Sequence, residues 1–588
     1  MDNSALPLAG DFPPADLEDW RELVAAVLTK SGRRFDPAAP ERALAHRDYD
    51  GIEVAPLYTQ RPATETGRPG QAPFVRGALD NPGLGWDVRA RYFDLDAMAT
   101  NAAVRADLDN GVSSLWLPAG SQLAPALAGV YLDLVAVVLD DPAQASDYLA
   151  LVADLDPSEV RGSLGADPIS RALAAGHEPE LAGLPALFEQ AAPYRQLIPL
   201  TIDGLPYHEA GGSPADELAI TLAVGVAVLR AVGEDAFDRL EFRYAVTADQ
   251  FGSIAKLRAA RRLWDRVGQL CGLTERRGQR QHAVTSPAML TRRDPWVNLL
   301  RSTVACFAAA IGGAEAITVL PFDAALGRPD DFGRRIARNT QSILHDEASL
   351  ARVVDAAGGS YYVETATEEL AQVAWRKFTE LEAAGGALAA GAIGELVEVS
   401  WRERRQNLAT RRDPLTGISE FANAEEQLLT RPPGPEPGRG GLPRHRYAEE
   451  YEAWRDRSDA MLAATGHRPR VVLAVLGPPA AHSARLAFAR NLFAAGGVHT
   501  VVAEGSPAEL ATAFSGSGAA VACLCSADSV YAEAARPAAE ALVEAGAEVW
   551  IAGPAALVDG PISDSIQLGC DVLAALEKVF ARSPEVPR

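Results

Sequence analysis

Cysteine and histidine are scarce in this 588-residue sequence. Five cysteines, an odd number, are too few for a disulfide framework, so we expect a reducing compartment; nine scattered histidines indicate no metal cluster. No apolar run approaches the ~18 residues of a membrane helix. The N-terminus lacks the charged and apolar segments of a secretory signal. We therefore expect a cytoplasmic protein with neither a membrane span nor a metal site.

Basic residues are in the minority as well. Lys and Arg total 55 against 78 Asp and Glu, which gives a formal charge of −23. Because phosphate binding needs a basic face, a nucleic-acid partner is disfavoured. Apolar residues make up 48% of the chain and charged residues 23%, which is typical of globular proteins with large cores.

Residues 1–50 form a predicted N-terminal helical arm. Its apolar residues recur at helical spacing: Leu17, Trp20, Leu23, Val24, Val27 and Leu28. An isolated helix of this length is only marginally stable, so it has to pack against something. The sequence leaves open whether the arm contacts the chain's own barrel or a second chain.

Residues 51–425 alternate short apolar strands with amphipathic helices. This pattern predicts an α/β fold of the (β/α)8 TIM-barrel type, with a simpler α/β sheet as the alternative. Segments such as "QLIPLTIDG" and "LEFRYAVTA" end in polar residues, which places functional side chains at the carboxyl ends of strands. The residues expected to line the mouth of the barrel are Thr201, Asp203, Thr247, Thr285 and Asp323.

A linker separates the barrel from a second α/β unit. Residues 426–468 form this predicted linker, which contains a helix; five Pro and four Gly fill most of positions 432–443. Residues 469–588 then alternate five strands with helices. That alternation predicts a doubly wound, flavodoxin-like (Rossmann-like) domain, which binds ligands beyond the carboxyl ends of its strands.

Several segments in order resemble the methylmalonyl-CoA mutase family, the adenosylcobalamin-dependent acyl-CoA mutases. They are "PLYTQ" (56–60), "GWDVRARY" (85–92), "YHEAGGSPADELA" (207–219), "TRRDPWVNLLRST" (291–303), "GGAEAITVLPFDAA" (312–325), "RIARNTQSIL" (335–344) and "DAAGGSYYVE" (355–364). The resemblance covers about residues 50–588. It implies an acyl-CoA-binding TIM barrel followed by a cobalamin-binding domain, and a radical isomerisation in which the cofactor supplies the chemistry.

The sequence departs from the family at the cobalt ligand. Catalytic members carry Asp-x-His-x-x-Gly after the first strand of the C-terminal domain, where the His binds cobalt and the Asp orients it. In the register set by the following helix, these positions hold Pro479, Ala481 and Ala484. His482 lies one position away from the ligand position and is interpreted as a surface histidine at a loop–helix junction.

Two further cobalamin contacts of the family are also degraded. The Ser-x-Leu that supports the nucleotide tail of the cofactor falls on Cys525-Ser526-Ala527, and the Gly-Gly after the fourth strand falls on Gly553-Pro554. We expect no cofactor-binding residues in this domain. Cys523 and Cys525 are expected on opposite faces of a strand as core residues, which disfavours a metal site.

The barrel lacks the family's catalytic residues in the same way. Catalytic members have a His that donates to the thioester carbonyl, and alignment on Glu-Ala-Gly puts Pro206 there, with His208 two positions further along. An active-site Tyr of the family falls on Tyr92 in one register and on Arg91 in another. The family's substrate-binding Arg would lie near residues 162–170, which contain no Arg, and the next one is Arg171. We expect no catalytic residue in this chain.

With these substitutions, the chain resembles the small, non-catalytic subunit of heterodimeric methylmalonyl-CoA mutases. The resemblance implies that a large catalytic subunit binds adenosylcobalamin and interconverts succinyl-CoA and (R)-methylmalonyl-CoA, and that the N-terminal arm contacts it. Two alternatives stay open at this point. One is an acyl-CoA-binding or sensing subunit without turnover, and the other is an active mutase with altered cofactor contacts, such as a ligand role for His482.

Overall fold

The computed structural model describes residues 16–60, 62–80, 85–94, 96–434 and 440–582. Parts of the predicted arm (1–15), of the predicted linker (435–439) and of the C-terminal unit (583–588) lie outside the described residues. None of the helices in the described part combines the length and the apolar character needed to cross a bilayer.

The N-terminal arm begins with α1 (Leu17–Lys30). Asp16 caps this helix in a capping box with Asp19, which satisfies otherwise free backbone donors of the first turn. The chain then forms a short antiparallel hairpin of β1 (His46–Arg47) and β2 (Glu53–Val54). The arm therefore contains the predicted helix, and the hairpin that follows it, which the sequence pattern did not indicate, extends past residue 50.

A ring of parallel strands forms the centre of the larger unit. In chain order, its strands are β3 (Asp87–Arg91), β4 (Ser114–Leu117), β5 (Ala136–Leu139), β6 (Gly162–Ser163), β7 (Leu197–Ile198), β8 (Leu200–Asp203), β9 (Leu240–Val246), β10 (Arg280–Thr285) and β11 (Ala316–Thr318). β11 pairs with β3, and β7 and β8 flank Pro199 as two halves of one barrel position. The ring therefore has eight positions, which confirms the predicted TIM barrel.

Helices surround this barrel. They are α2 (Ala97–Leu108), α3 (Leu123–Ala126), α4 (Ala145–Leu151), α5 (Pro168–Ala175), α6 (Leu184–Ala191), α7 (Leu205–Glu209), α8 (Pro214–Val232), α9 (Gln250–Leu270), α10 (Val297–Gly312), α11 (Asp331–Ser342), α12 (Tyr361–Ala383) and α13 (Ala390–Ala409). α8 is almost wholly buried, because it is apolar on nearly all sides and lies between the sheet and the outer helices.

The C-terminal unit is a five-stranded parallel sheet with helices on both faces. Its elements are α14 (Glu449–Thr465), β12 (Arg470–Val475), α15 (Pro479–Ala495), β13 (His499–Ala503), α16 (Pro507–Ser517), β14 (Val521–Cys525), α17 (Asp528–Glu544), β15 (Glu548–Ala552), β16 (Asp564–Ile566) and α18 (Val572–Ala581). The strand order β13-β12-β14-β15-β16 confirms the doubly wound, Rossmann-like prediction. β13 lies on one side of β12, and the chain then crosses to β14 on the other side. A crevice therefore forms beyond the carboxyl ends of β12 and β14.

The domain boundaries predicted at residues 50, 425 and 468 stay predictions. One core cluster holds barrel residues, whereas the cluster on one face of the second sheet also contains Ala409, Ile418, Ala448 and Tyr451. The end of α13 and the start of α14 therefore pack on one face of the second sheet.

Candidate functional site: the barrel axis and the edge of the second sheet

A buried ion pair occupies the lower part of the barrel axis. Arg89 of β3 donates from Nη1 to Glu241 Oε1 of β9 over 2.9 Å, and from Nε to Ser114 Oγ over 2.9 Å. Thr201 Oγ1 lies 3.3 Å from the same Glu241 oxygen. Burial raises the pKa of Glu241, but the charge and hydrogen bonds of Arg89, together with the charges of Arg280 and Arg243, bring the pKa below its ordinary value.

A second layer above this pair is built around Arg243 of β9. Arg243 donates from Nε to His282 Nδ1 over 3.1 Å and from Nη1 to Asp203 Oδ2 over 2.9 Å. Its guanidinium also lies 3.9 Å from the centre of the Trp116 ring. These contacts place a large, fully buried side chain across the axis at the carboxyl ends of the strands.

His282 is neutral in this layer. Because its Nδ1 accepts the hydrogen bond from Arg243, the ring proton resides on Nε2, which lies 2.8 Å from Thr318 Oγ1. Burial lowers the pKa of His282 well below its ordinary value, and the charges of Arg89 and Arg243 lower it further. The imidazole is thus fixed between two protein groups and has no ring nitrogen available to a substrate.

The mouth itself holds Arg91 and not Tyr92. The Arg91 guanidinium lies 4.2 Å from the centre of the Trp116 ring, whose Nε1 donates to Asp140 Oδ1 over 2.5 Å. Tyr92 points away from the axis into the groove between α2 and α11, where its hydroxyl donates to Asp107 Oδ2 over 3.2 Å. Alternation along β3 directs residues 89 and 91 inward, so Tyr92 does not reach the mouth of the barrel in this structure.

Pro206 lies in the first turn of α7, directly after β8. Its ring offers no hydrogen-bond donor at the strand end. His208 is buried, and its Nε2 lies 2.6 Å from Ser286 Oγ. Burial lowers the pKa of His208 well below its ordinary value, with the charges of Lys256 and Arg404 acting in the same direction. His208 is thus a neutral side chain in a structural hydrogen bond.

The five predicted mouth residues fall into two groups. Thr201 and Asp203 reach the axis and bind Glu241 and Arg243, as described above. The other three hold loops in place: Thr247 through its backbone N–H to Ser253 Oγ, Thr285 Oγ1 as acceptor from the Leu320 N–H over 2.8 Å, and Asp323 through a 2.5 Å contact with Arg431 Nε.

The axial residues Arg89, Trp116, Glu241, Arg243 and His282 were missed by the sequence analysis. A usable signal was present in "LEFRYAV", because Glu241 and Arg243 stand two positions apart in an otherwise apolar strand. Such spacing directs both charges to one face of the strand, where two charges in a buried strand indicate a polar cluster.

The linker crosses the carboxyl-terminal face of the barrel. Leu442 donates its N–H to the Leu173 carbonyl over 2.9 Å, and Tyr447 donates to the Ala288 carbonyl over 2.9 Å. His445 donates to the Glu209 carbonyl over 2.8 Å, and its ring stacks on Trp401 with centres 3.9 Å apart. These contacts bridge the loops after β6, β8 and β10, so the linker lies beside the filled mouth.

The loop after β12 presents no imidazole. Pro479 begins α15, and its neighbours Ala481 and Ala484 have no polar side-chain atoms. His482 is only 6% exposed, on the inner face of α15, and its Nδ1 has no hydrogen-bond partner among the described residues. The interpretation of His482 as a surface residue is therefore wrong: the helical turn that follows Pro479 rotates this side chain towards the sheet.

Side chains fill the crevice between β12, β14 and β15. The Tyr531 hydroxyl accepts from the Ser526 N–H over 2.8 Å and lies 2.9 Å from the Leu524 carbonyl oxygen. Arg485 donates to the Ser526 carbonyl over 2.6 Å and also pairs with Asp528. A Cβ at Gly553 would lie 3.0 Å from the Arg485 guanidinium carbon. The space beside Gly553-Pro554 is therefore occupied by Arg485.

The remaining degraded positions carry no polar group into the crevice. Cys525 is fully buried in β14, and Ala527 caps α17 without a side-chain hydrogen bond. The prediction that Cys523 and Cys525 face opposite sides is wrong, because residues two apart on a strand share a face; both lie in one core cluster with Trp550. The described residues contain no group of three or more His, Cys, Asp or Glu side chains suited to a metal ion.

The chain is similar in sequence to known proteins over most of its length. The family model described as methylmalonyl-CoA mutase matches residues 126–458. A methylmalonyl-CoA mutase small subunit from Streptomyces virginiae is 51% identical over 99% of both chains. The small subunit from Propionibacterium freudenreichii subsp. shermanii is 38% identical over 98% of this chain and 96% of its own.

A methylmalonyl-CoA mutase from Rhizobium meliloti is 30% identical, over 70% of this chain and 65% of its own. The two small subunits thus match this chain from end to end, whereas the Rhizobium protein matches it in part. The chain belongs to the methylmalonyl-CoA mutase family.

Proposed function

We propose that this chain is the non-catalytic small subunit of a cytoplasmic methylmalonyl-CoA mutase. It supports a large subunit that binds adenosylcobalamin and interconverts succinyl-CoA and (R)-methylmalonyl-CoA. The observation that carries the proposal is the filled barrel axis, in which Arg243 spans the strand ends between Asp203, His282 and Trp116. The names of the two small-subunit relatives support the same assignment.

The barrel is proposed to bind no acyl-CoA along its axis. A thioester there would have to displace Arg243 and the Arg89–Glu241 pair, and so leave charged groups buried without partners. Breaking a buried pair in this way costs roughly 3–5 kcal/mol. Pro206 also provides no donor to a thioester oxygen. These features support a structural role for the barrel and disfavour acyl-CoA sensing at its centre.

The cofactor is proposed to be bound by the large subunit alone. The side chains at the edge of the second sheet do not fit cobalamin, because Tyr531 and Arg485 fill the crevice. Both of them form hydrogen bonds with the backbone of Ser526. His482 cannot reach cobalt without unwinding the first turns of α15, which disfavours the alternative of an active mutase with a displaced ligand.

The N-terminal helix is proposed to pack on the large subunit. Leu23 and Val27 of α1 are 68% and 67% exposed and lie on one side of the helix, with Leu17 nearby at 38%. A helix of 14 residues needs tertiary packing to be stable. Burial of these side chains against a second chain would supply that packing.

Co-expression tests this function. The chain is produced with a large mutase subunit and alone, and each preparation is assayed for mutase turnover with added adenosylcobalamin after size-exclusion chromatography. We expect co-elution at a 1:1 ratio with activity in the complex, and no turnover by the chain alone. Turnover by the single chain above that of a buffer control would contradict the proposal.

A further inference from the structure

A cavity of about 920 Å³ lies beside the barrel, away from its axis. It is bounded by the β1–β2 hairpin, the loops after β9 and β10, and helices α12 and α13. None of the axial residues Arg89, Arg91, Asp203, Arg243 and His282 lines it. Its volume lies in the range of cavities that bind small organic molecules. The cavity is therefore separate from the family's site in the barrel centre.

Arg404 of α13 is a half-buried cation at the wall of this cavity, which the exposed Arg47 and Arg412 also line. Its guanidinium lies 4.0 Å from the centre of the Tyr49 ring and 4.9 Å from that of Tyr447. The half-buried side chain makes no hydrogen bond or ion pair with any described residue. Stacking on two rings fixes the plane of the guanidinium and leaves its N–H donors free.

Tyr49 is itself held in place, so the stack is preorganised. Its hydroxyl donates to Asp413 and accepts from Asn407 Nδ2 over 3.2 Å. A planar cation with free donors, held at the wall of a cavity, is suited to bind an oxyanion through two parallel hydrogen bonds. A carboxylate or phosphoryl group would match these donors in charge and geometry.

The other walls of the cavity limit the charge and the shape of that ligand. Asp48, Asp249 and Glu369 line it, and none of them contacts a basic side chain among the described residues; Glu369 Oε2 is buried without a hydrogen-bond partner. These carboxylates repel a second negative charge placed beside them, while Arg47, Arg301 and Arg412 also line the cavity. Val304 and Leu370 line the same space with apolar side chains, which suit an apolar ligand body.

We propose that this cavity binds a small organic monocarboxylate with an apolar body, and that Arg404 binds its carboxylate. The site goes beyond the proposed subunit role and does not depend on it. The full chain is titrated with benzoate, benzylamine and inorganic phosphate by isothermal titration calorimetry. We expect saturable binding of benzoate, weaker binding of phosphate and none of benzylamine. Binding of benzylamine without benzoate, or phosphate tighter than benzoate, would overturn the proposal.

Variants of α13 assign the binding to Arg404. In R404Q we expect benzoate affinity to fall at least about tenfold, because two charge-assisted hydrogen bonds are lost, and in R404K to fall less. The matched control is R402Q, since Arg402 lies two residues away with a side chain that is 68% exposed and that pairs, among the described residues, with Glu398 alone. Wild-type affinity in a folded R404Q, or an equal loss in R402Q, refutes the assignment. If R404Q does not fold, wild-type affinity in R404K refutes it.

Discussion

The buried Arg89–Glu241 pair sets a measurable prediction for the barrel. The substitution E241Q removes the carboxylate charge but leaves Arg89, which is almost wholly buried, without a counter-charge. Loss of one partner of such a pair costs about 3–5 kcal/mol of unfolding free energy. In R89M/E241M no buried charge of the pair is left, so we expect the double variant to be more stable than E241Q.

This cost is measured by urea unfolding, followed by tryptophan fluorescence, in the transition that unfolds the barrel. The shift of the transition midpoint, at an unchanged dependence of free energy on urea concentration, gives the change in unfolding free energy. The control is R402Q at the exposed Arg402–Glu398 pair, which should change the unfolding free energy by less than about 0.5 kcal/mol. An E241Q variant within about 1 kcal/mol of the wild type would refute the reasoning. So would a double variant that is less stable than E241Q.

Three further predictions concern separate parts of the chain. Burial raises the pKa of Asp167 to about 6, so the folded state holds this proton more tightly than the unfolded chain. Relative to D167N, the wild type should therefore lose roughly 3 kcal/mol of stability as pH rises from about 4 to 7, measured by urea unfolding at each pH; a pH-independent difference contradicts this. The buried His482 has an unpaired Nδ1, so H482L should match or exceed the wild type in Tm, and a fall of several degrees would argue against that placement. L23E/V27E should weaken binding of the large subunit at least about tenfold, whereas T29E on the other side of α1 should not; equal Kd values for both variants, measured by calorimetry, would contradict the arm's role.

The regular elements follow from local signals in the sequence. α8 spans Pro214–Val232, because Ser213 caps it and Asp216 completes a capping box. The five strands of the C-terminal unit were also predictable from strand–helix alternation, whereas their order is known from the structure. Such signals depend on neighbours along the chain.

Which side chains reach the site depends on strand register and on contacts between residues far apart in sequence. The sequence alone does not determine either. Whether Arg91 or Tyr92 faces the axis depends on where β3 ends, and a shift of one residue exchanges the two faces. His282 meets Arg243 only through the pairing of β9 with β10. His482 was misplaced for a related reason, since the helix start at Pro479 decides which side of α15 it occupies.

The central claim is that this subunit leaves cobalamin to its partner, and equilibrium dialysis of the chain alone against adenosylcobalamin tests it most directly. The corrinoid is followed by its visible absorption, with the reconstituted complex as the positive control. We predict no saturable binding to the single chain and one equivalent per complex. One equivalent of cobalamin bound to the single chain would contradict the account.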